Sequence, residues 1–102
     1  PYDVTLAQEQ TGHPVVKGLP KKWRTPKGEL YMVPMVMDGT TVLAYGDNGA
    51  EHKPPQPQAL AWVKQKDNFK LYATTMGHHN ETVSTKEFLD MVANGISWAT
   101  KK

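Results

Sequence analysis

Residues 69–82 read FKLYATTMGHHNET, and residues 84–100 read STKEFLDMVANGISWAT. The first eight of these residues are rich in aromatic and β-branched side chains, which predicts an inner strand over 69–76. Ser84 and Glu87 have the spacing of a capping box, so a helix is predicted over 84–100. Its apolar positions at helical spacing are expected to be buried on a sheet; they are Phe88, Val92, Ile96 and Ala99.

Four earlier segments have the apolar patterns of strands: residues 2–6, 29–33, 41–45 and 59–63. The short connection over 65–68 predicts a hairpin between the last of these and the strand 69–76. Between the strands, residues 13–20 are expected to form a turn of helix, and residues 21–28 and 46–58 to form loops.

Composition excludes several classes of protein. The 102 residues amount to one domain at most, and the net charge of +2 is too small to predict nucleic-acid binding. The absence of Cys excludes disulfides, zinc–thiolate sites and a cysteine nucleophile. The longest mostly apolar stretch, 30–37, is far shorter than the ~20 residues that cross a bilayer, so no membrane span is expected.

The densest polar cluster is His78, His79, Asn80 and Glu81, directly after the strand 69–76. In open α/β sheets, ligands bind outside the carboxyl ends of strands. One imidazole, oriented by Glu81, could act as a general acid or base. Both imidazoles with Glu81 could instead hold a metal, although the spacing is not a recognised zinc motif. The third interpretation is a turn whose polar side chains only satisfy backbone groups.

His13 and Glu29 are weaker candidates. The proline after His13 holds this residue in an extended conformation, which can aim its imidazole, although such a residue more often just starts a turn. Glu29 is either a site carboxylate or a solvated residue at the start of a strand.

Five short segments follow one another along the chain: HPVVKGLP (13–20), GELY (28–31), AWV (61–63), YATTMGHHNET (72–82) and GISWA (95–99). This combination resembles the C-terminal half of the trehalose-utilisation (ThuA-like) family, most closely the versions abundant in planctomycete-type bacteria. The resemblance covers residues 2–99. It implies a class I glutamine-amidotransferase-like fold, which is a flavodoxin-like three-layer α/β sandwich. The chain would be roughly its C-terminal half, incomplete without an upstream half, and a strand pattern that begins at Tyr2 fits this expectation.

The resemblance implies a role in the metabolism of trehalose, a related disaccharide or a keto-sugar, without fixing a reaction. Amidotransferase relatives use a Cys nucleophile, which this chain lacks, so the name describes the fold and not the activity. The expected catalytic residues are then His78, His79 and Glu81, and the expected substrate-binding residues are His13, Glu29 and Asn80. Neither a metal nor another cofactor is expected.

The expected partners are a small saccharide and either the missing N-terminal half or another chain. A homo-oligomer is a further candidate, and no nucleic-acid partner is expected. The sequence does not predict the cellular compartment. The sequence departs from the family at residues 66–70, KDNFK, where members usually carry a Gly-Lys-Gly-Arg-like turn. If that Arg supports a substrate anion, its support is missing here or comes from Lys70. The competing hypothesis is a non-catalytic α/β domain that binds a ligand or a protein.

Overall fold

The computed structural model describes residues 2–26, 30, 38–47, 57–76 and 80–101. Its strands are β1 (Asp3–Leu6), β2 (Lys22–Arg24), β3 (Thr40–Asp47), β4 (Gln58–Lys66) and β5 (Phe69–Thr74). Its α-helices are α1 (Asn80–Val83) and α2 (Lys86–Thr100), and two short 3₁₀ helices span Gln8–Gln10 and Pro14–Val16. The strands form one antiparallel sheet in the order β2-β1-β3-β4-β5. The α/β prediction is therefore confirmed.

Strand β2 corrects the prediction of a loop over 21–28. Its register places Trp23 opposite Val4, where the indole packs against the core. On the other face, Arg24 donates to the Asp3 carboxylate at 3.0 Å. A polar segment of three residues thus becomes a strand through cross-strand pairing. The strand predicted at 29–33 lies outside the described residues except for the buried Leu30.

The predicted hairpin between β4 and β5 is confirmed, with Asp67 and Asn68 alone between the strands. Asp67 adopts a left-handed backbone conformation with φ of 52°, which Asp tolerates better than most residues. The prediction of an inner strand is wrong for the described sheet, since β5 pairs with β4 only and forms an edge.

Helix α2 begins one residue later than the capping box predicted. The Thr85 hydroxyl accepts the Phe88 N–H at 3.3 Å and is the N-cap. Ser84 is engaged elsewhere, because its hydroxyl donates to the Asn80 carbonyl of α1 at 2.8 Å. The short helix α1 therefore takes Ser84 out of the capping position.

The buried face of α2 consists of Met91, Gly95 and Trp98, and the predicted burial of Ile96 is wrong. Ile96 is 61% exposed. A Cβ on Gly95 would lie 2.5 Å from the Tyr72 ring, so the missing side chain lets the helix approach β5 along this line. Ile96 then projects to the side of the helix. Phe88, Val92 and Ala99 are only partly buried.

The core lies between the sheet and one helical layer. Asn94 of α2 donates to the carbonyls of Val15 and Lys17, both at 3.0 Å, which holds the 3₁₀ helix Pro14–Val16 against α2. The core side chains that are at most 2% exposed include Tyr2, Val4, Val15, Val16, Leu43, Leu60 and Met91.

Replacing Met91 by Ala should lower the free energy of unfolding by about 2–5 kcal/mol, because it leaves a cavity in the core. Ile96→Ala should change it by less than about 0.5 kcal/mol, because the side chain is exposed. Urea unfolding of dilute protein measures both values. A larger loss for Ile96→Ala than for Met91→Ala would contradict this orientation of α2.

Gly95→Ala should destabilise the protein by about 1–3 kcal/mol through overpacking against Tyr72. Helix propensity alone predicts a gain of up to about 1 kcal/mol, so the two effects have opposite signs. Ala93, exposed on α2, gives the matched control: Ala93→Gly should cost about the propensity difference alone. Thermal unfolding of both variants measures whether overpacking or helix propensity prevails at Gly95. A stabilised Gly95→Ala would refute the close contact.

Candidate functional site

The end of β5 is fixed by two hydrogen bonds to β4 and one within its own segment. The Thr74 hydroxyl donates to the Leu60 carbonyl at 2.8 Å and accepts the Met76 N–H at 3.2 Å. The Thr75 N–H donates to the same Leu60 carbonyl at 3.0 Å. Met76 is buried. The last residues of β5, which precede the predicted site residues in the chain, are therefore held in place.

Helix α1 presents Asn80 and Glu81 to solvent on an anchored turn. Thr82 is 2% exposed, and its carbonyl accepts the Thr85 hydroxyl at 2.7 Å and the Thr85 N–H at 3.1 Å. We call the segments 74–76 and 80–85 together the β5–α1 junction. Asn80 and Glu81 thus begin helix α1, the element that follows β5 in the chain.

His78, His79 and Glu29 lie outside the described residues, so their catalytic and binding roles stay predictions. Within the described ranges, no group of three or more His, Asp or Glu side chains could hold a metal ion. The metal hypothesis for the two histidines with Glu81 is likewise still a prediction. No helix in the described part of the chain is long and apolar enough to span a membrane.

His13 is built into the fold by two contacts. Its Nδ1 accepts the Val15 N–H at 3.2 Å, which caps the 3₁₀ helix Pro14–Val16. Its ring lies 5.3 Å from that of Trp98, tilted by 58°. Partial burial lowers the pKa of His13 below 6.5. The neutral imidazole therefore carries its proton on Nε2, which can donate to a ligand.

The structure places His13 far from Asn80 and Glu81. His13 contacts Trp98 on the last turns of α2, whereas α1 precedes the first turn of the same helix. From Lys86 to Trp98 the helix rises by roughly 18 Å. Two of the predicted substrate-binding residues, His13 and Asn80, therefore lie near opposite ends of α2.

Sequence reasoning missed Trp98 and Asn94. Both line a concave surface of about 680 Å³ beside His13, together with Pro14, Lys17, Ser97 and Lys101. An indole edge with amide, hydroxyl and ammonium groups suits the apolar faces and hydroxyls of a polar small molecule. The signal was available in the spacing of Met91, Gly95 and Trp98, which marks one helix face with Trp98 at its end.

Tyr72 is excluded as a general base near neutral pH. Its ring lies under α2 at Gly95. Burial raises the pKa of Tyr72 to about 12, and its buried hydroxyl has no hydrogen-bond partner among the described residues. The phenol therefore stays protonated, and its role is to fill the space between β5 and α2.

The model of one protein family, described as ThuA, trehalose utilisation, matches residues 1–99. Comparisons with curated proteins and with solved structures gave no match. The family match spans both the β5–α1 junction and the concave surface beside His13.

The His13 contacts predict a pH-dependent part of stability. Because the folded-state pKa is depressed, the unfolded chain binds more protons, so this contribution is complete above about pH 6.5 and is lost as pH falls further. Protonation also removes the acceptor for the Val15 N–H. His13→Asn, which retains an acceptor, should unfold with a weaker dependence on pH between 7 and 5. His13→Ala should lose about 1 kcal/mol at pH 7.5 as well. Identical pH profiles for wild type and His13→Asn would refute a burial-lowered pKa.

Proposed function

Because the chain belongs to the ThuA (trehalose utilisation) family, we propose that it binds and processes a small saccharide at the β5–α1 junction. The family match places the chain in carbohydrate metabolism. The proposed substrate is trehalose, a related disaccharide or a keto derivative. The observation that carries the proposal is the exposure of Asn80 and Glu81 on the anchored turn of α1, directly after His78 and His79 in the sequence.

The proposed chemistry is general acid–base catalysis. His78 or His79 takes a proton from a sugar hydroxyl or returns it to a leaving oxygen, since imidazole titrates near neutral pH. Glu81 accepts a hydrogen bond from the imidazole and stabilises the imidazolium. The Asn80 amide binds hydroxyl groups as both donor and acceptor. This division of roles needs no Cys.

The concave surface beside His13 is the second proposed saccharide contact. The Nδ1 atom of His13 is used internally, so Nε2–H is the donor left for a ligand. Glu29 completes the proposed set of binding residues. Trp98 is not proposed as a stacking residue, because it is buried and its ring already packs against His13 and the Lys70 ammonium.

The proposed complete domain is a flavodoxin-like sandwich, of which this chain forms roughly the C-terminal half, as in the planctomycete-type relatives that it resembles. Strand β5 is an edge among the described residues and leaves room for further strands, but every pairing in the described sheet is antiparallel, so the parallel strands of such a sandwich would have to form outside it. A non-catalytic binding domain is the alternative function, favoured by the apolar side chains exposed beside that edge.

His78→Ala, His79→Ala and Glu81→Gln, made separately, test the proposed catalysis. Loss of the acid–base residue should lower turnover of the saccharide by about 10²–10⁴-fold without changing stability. Lys86→Ala is the matched control, since it removes only the exposed Lys86–Asp90 pair near the junction. If both histidine variants keep wild-type binding and turnover but unfold more easily, the turn is structural.

Titration of the isotope-labelled protein with trehalose locates the binding surface. The amide signals of Asn80 and Glu81 should shift if the junction binds sugar, and the Trp98 indole and Asn94 side-chain signals should shift if the concave surface does. Binding without any turnover would favour the non-catalytic alternative. Shifts at neither surface would contradict the proposed site.

A further inference from the structure

The side-chain amide of Asn94 connects two segments that are distant in the sequence. Its Nδ2 donates to the carbonyls of Val15 and Lys17, both at 3.0 Å. Both N–H bonds of the amide are thus used on carbonyl acceptors, so this position requires a donor rather than another acceptor. The Asn94 side chain is half-buried, which leaves it within reach of water. The connection therefore depends on Asn94 remaining an amide.

The residue after Asn94 is fixed by a different constraint. Gly95 is buried, and a Cβ at this position would lie 2.5 Å from the Tyr72 ring. The close approach of α2 to β5 requires glycine here, just as the bonds to the 3₁₀ helix require an amide one position earlier. Two packing demands thus place an Asn–Gly pair inside α2. Asparagine is chemically labile, and a following glycine, which lacks a side chain, leaves its backbone nitrogen unshielded.

The reaction open to this pair consumes only water. The backbone nitrogen of Gly95 attacks the Cγ atom of Asn94, and a new C–N bond closes a cyclic imide. The side-chain nitrogen leaves as ammonia and takes the proton of the Gly95 N–H. Water then opens the imide at either of its carbonyl carbons, which yields aspartate or isoaspartate. The net change is the uptake of water and the release of ammonia, without oxidation or reduction.

The native helix holds both reacting groups apart. In the α-helical pattern the Gly95 N–H donates to the carbonyl four residues earlier, that of Met91. The Asn94 amide is meanwhile held on the 3₁₀ helix. The reaction therefore requires α2 to open around residue 95. Glycine has the lowest helix propensity of the residue types in α2, which favours opening at this point.

We propose that Asn94 is a deamidation site whose reaction is gated by the opening of α2, and that the product releases the 3₁₀ helix Pro14–Val16 from α2. An aspartate carboxylate only accepts hydrogen bonds, so it would face two carbonyl oxygens without a donor. Isoaspartate adds a carbon atom to the backbone and interrupts the helix. Both products oppose renewed docking, so the change is irreversible. The proposal is independent of the proposed saccharide function, although the release would also separate His13 from Trp98.

Peptide mapping by mass spectrometry, during incubation in mildly alkaline buffer, measures the conversion of Asn94. The sequence contains a second such pair, Asn48 followed by Gly49, which serves as the reference in the urea-unfolded chain. In urea the two asparagines should convert at similar rates. In native buffer Asn94 should convert at least about tenfold more slowly than in urea. Equal rates of Asn94 conversion in both conditions, or no conversion of Asn94 in urea, overturn the proposal.

Two variants of α2 test the gating. Met91→Ala weakens the packing of the helix and should accelerate the conversion of Asn94 in native buffer at least about threefold. Ile96→Ala is the matched control, because this side chain is exposed, and it should convert like wild type. If Met91→Ala does not fold, wild-type chain in urea below its unfolding transition takes its place, and its rate should rise with urea. A native rate that responds to neither change contradicts the gating.

Asn94→Asp reproduces one product and tests its effect on the fold. The readout is hydrogen exchange of the Val16 and Leu19 amides, which donate to the carbonyls of His13 and Val16. Exchange of both amides should accelerate at least about tenfold in Asn94→Asp. Asn68→Asp is the matched control, because it makes the same chemical change at an exposed turn residue, and it should exchange like wild type. Unchanged exchange in Asn94→Asp, or equal acceleration in both variants, would show that the amide does not hold the 3₁₀ helix and would overturn the proposal.

Discussion

The Trp98 side chain joins three parts of the molecule that are distant in the sequence. The His13 ring packs on it at 5.3 Å and the Lys70 ammonium lies 5.2 Å from it, while the residue itself belongs to the buried face of α2. The 3₁₀ helix Pro14–Val16, whose N-cap is His13, therefore meets the edge strand β5 and helix α2 at one indole. Cation–π and tilted aromatic contacts are each worth about 1 kcal/mol, so their clustering fixes the helix on the sheet more firmly than either contact alone.

Helix α2 sets the separation of the two surfaces that carry polar side chains. Its first turn adjoins Asn80 and Glu81, and its last turns carry Asn94, Ser97 and Trp98. The β5–α1 junction, the proposed substrate site, thus lies beside the first turn of α2. His13 contacts the other end of the same helix. Any cooperation between the two surfaces has to pass through α2.

Much of the fold follows from sequence patterns, because the strands and the C-terminal helix have strong periodicity and the hairpin has a short connection. Strand β2 does not follow, since Lys22, Trp23 and Arg24 become a strand only through pairing with β1. The orientation of α2 also depends on tertiary contact: Gly95 against Tyr72 turns Ile96 outward, although apolar periodicity includes it. For the site, the sequence order puts Asn80 and Glu81 after β5, and their roles stay predictions. It could not show that His13 packs on Trp98, because that contact joins opposite parts of the chain.

The bonds from Asn94 to Val15 and Lys17 span 79 and 77 residues of sequence. The strands β3, β4 and β5, by contrast, pair with their sequence neighbours, and β4 and β5 are joined by two residues. Closing a long loop costs more entropy than closing a hairpin, so contacts of this span slow folding. The three-strand meander is consequently the part able to form early. We expect the docking of the 3₁₀ helix Pro14–Val16 onto α2, which closes the long loop, to come later.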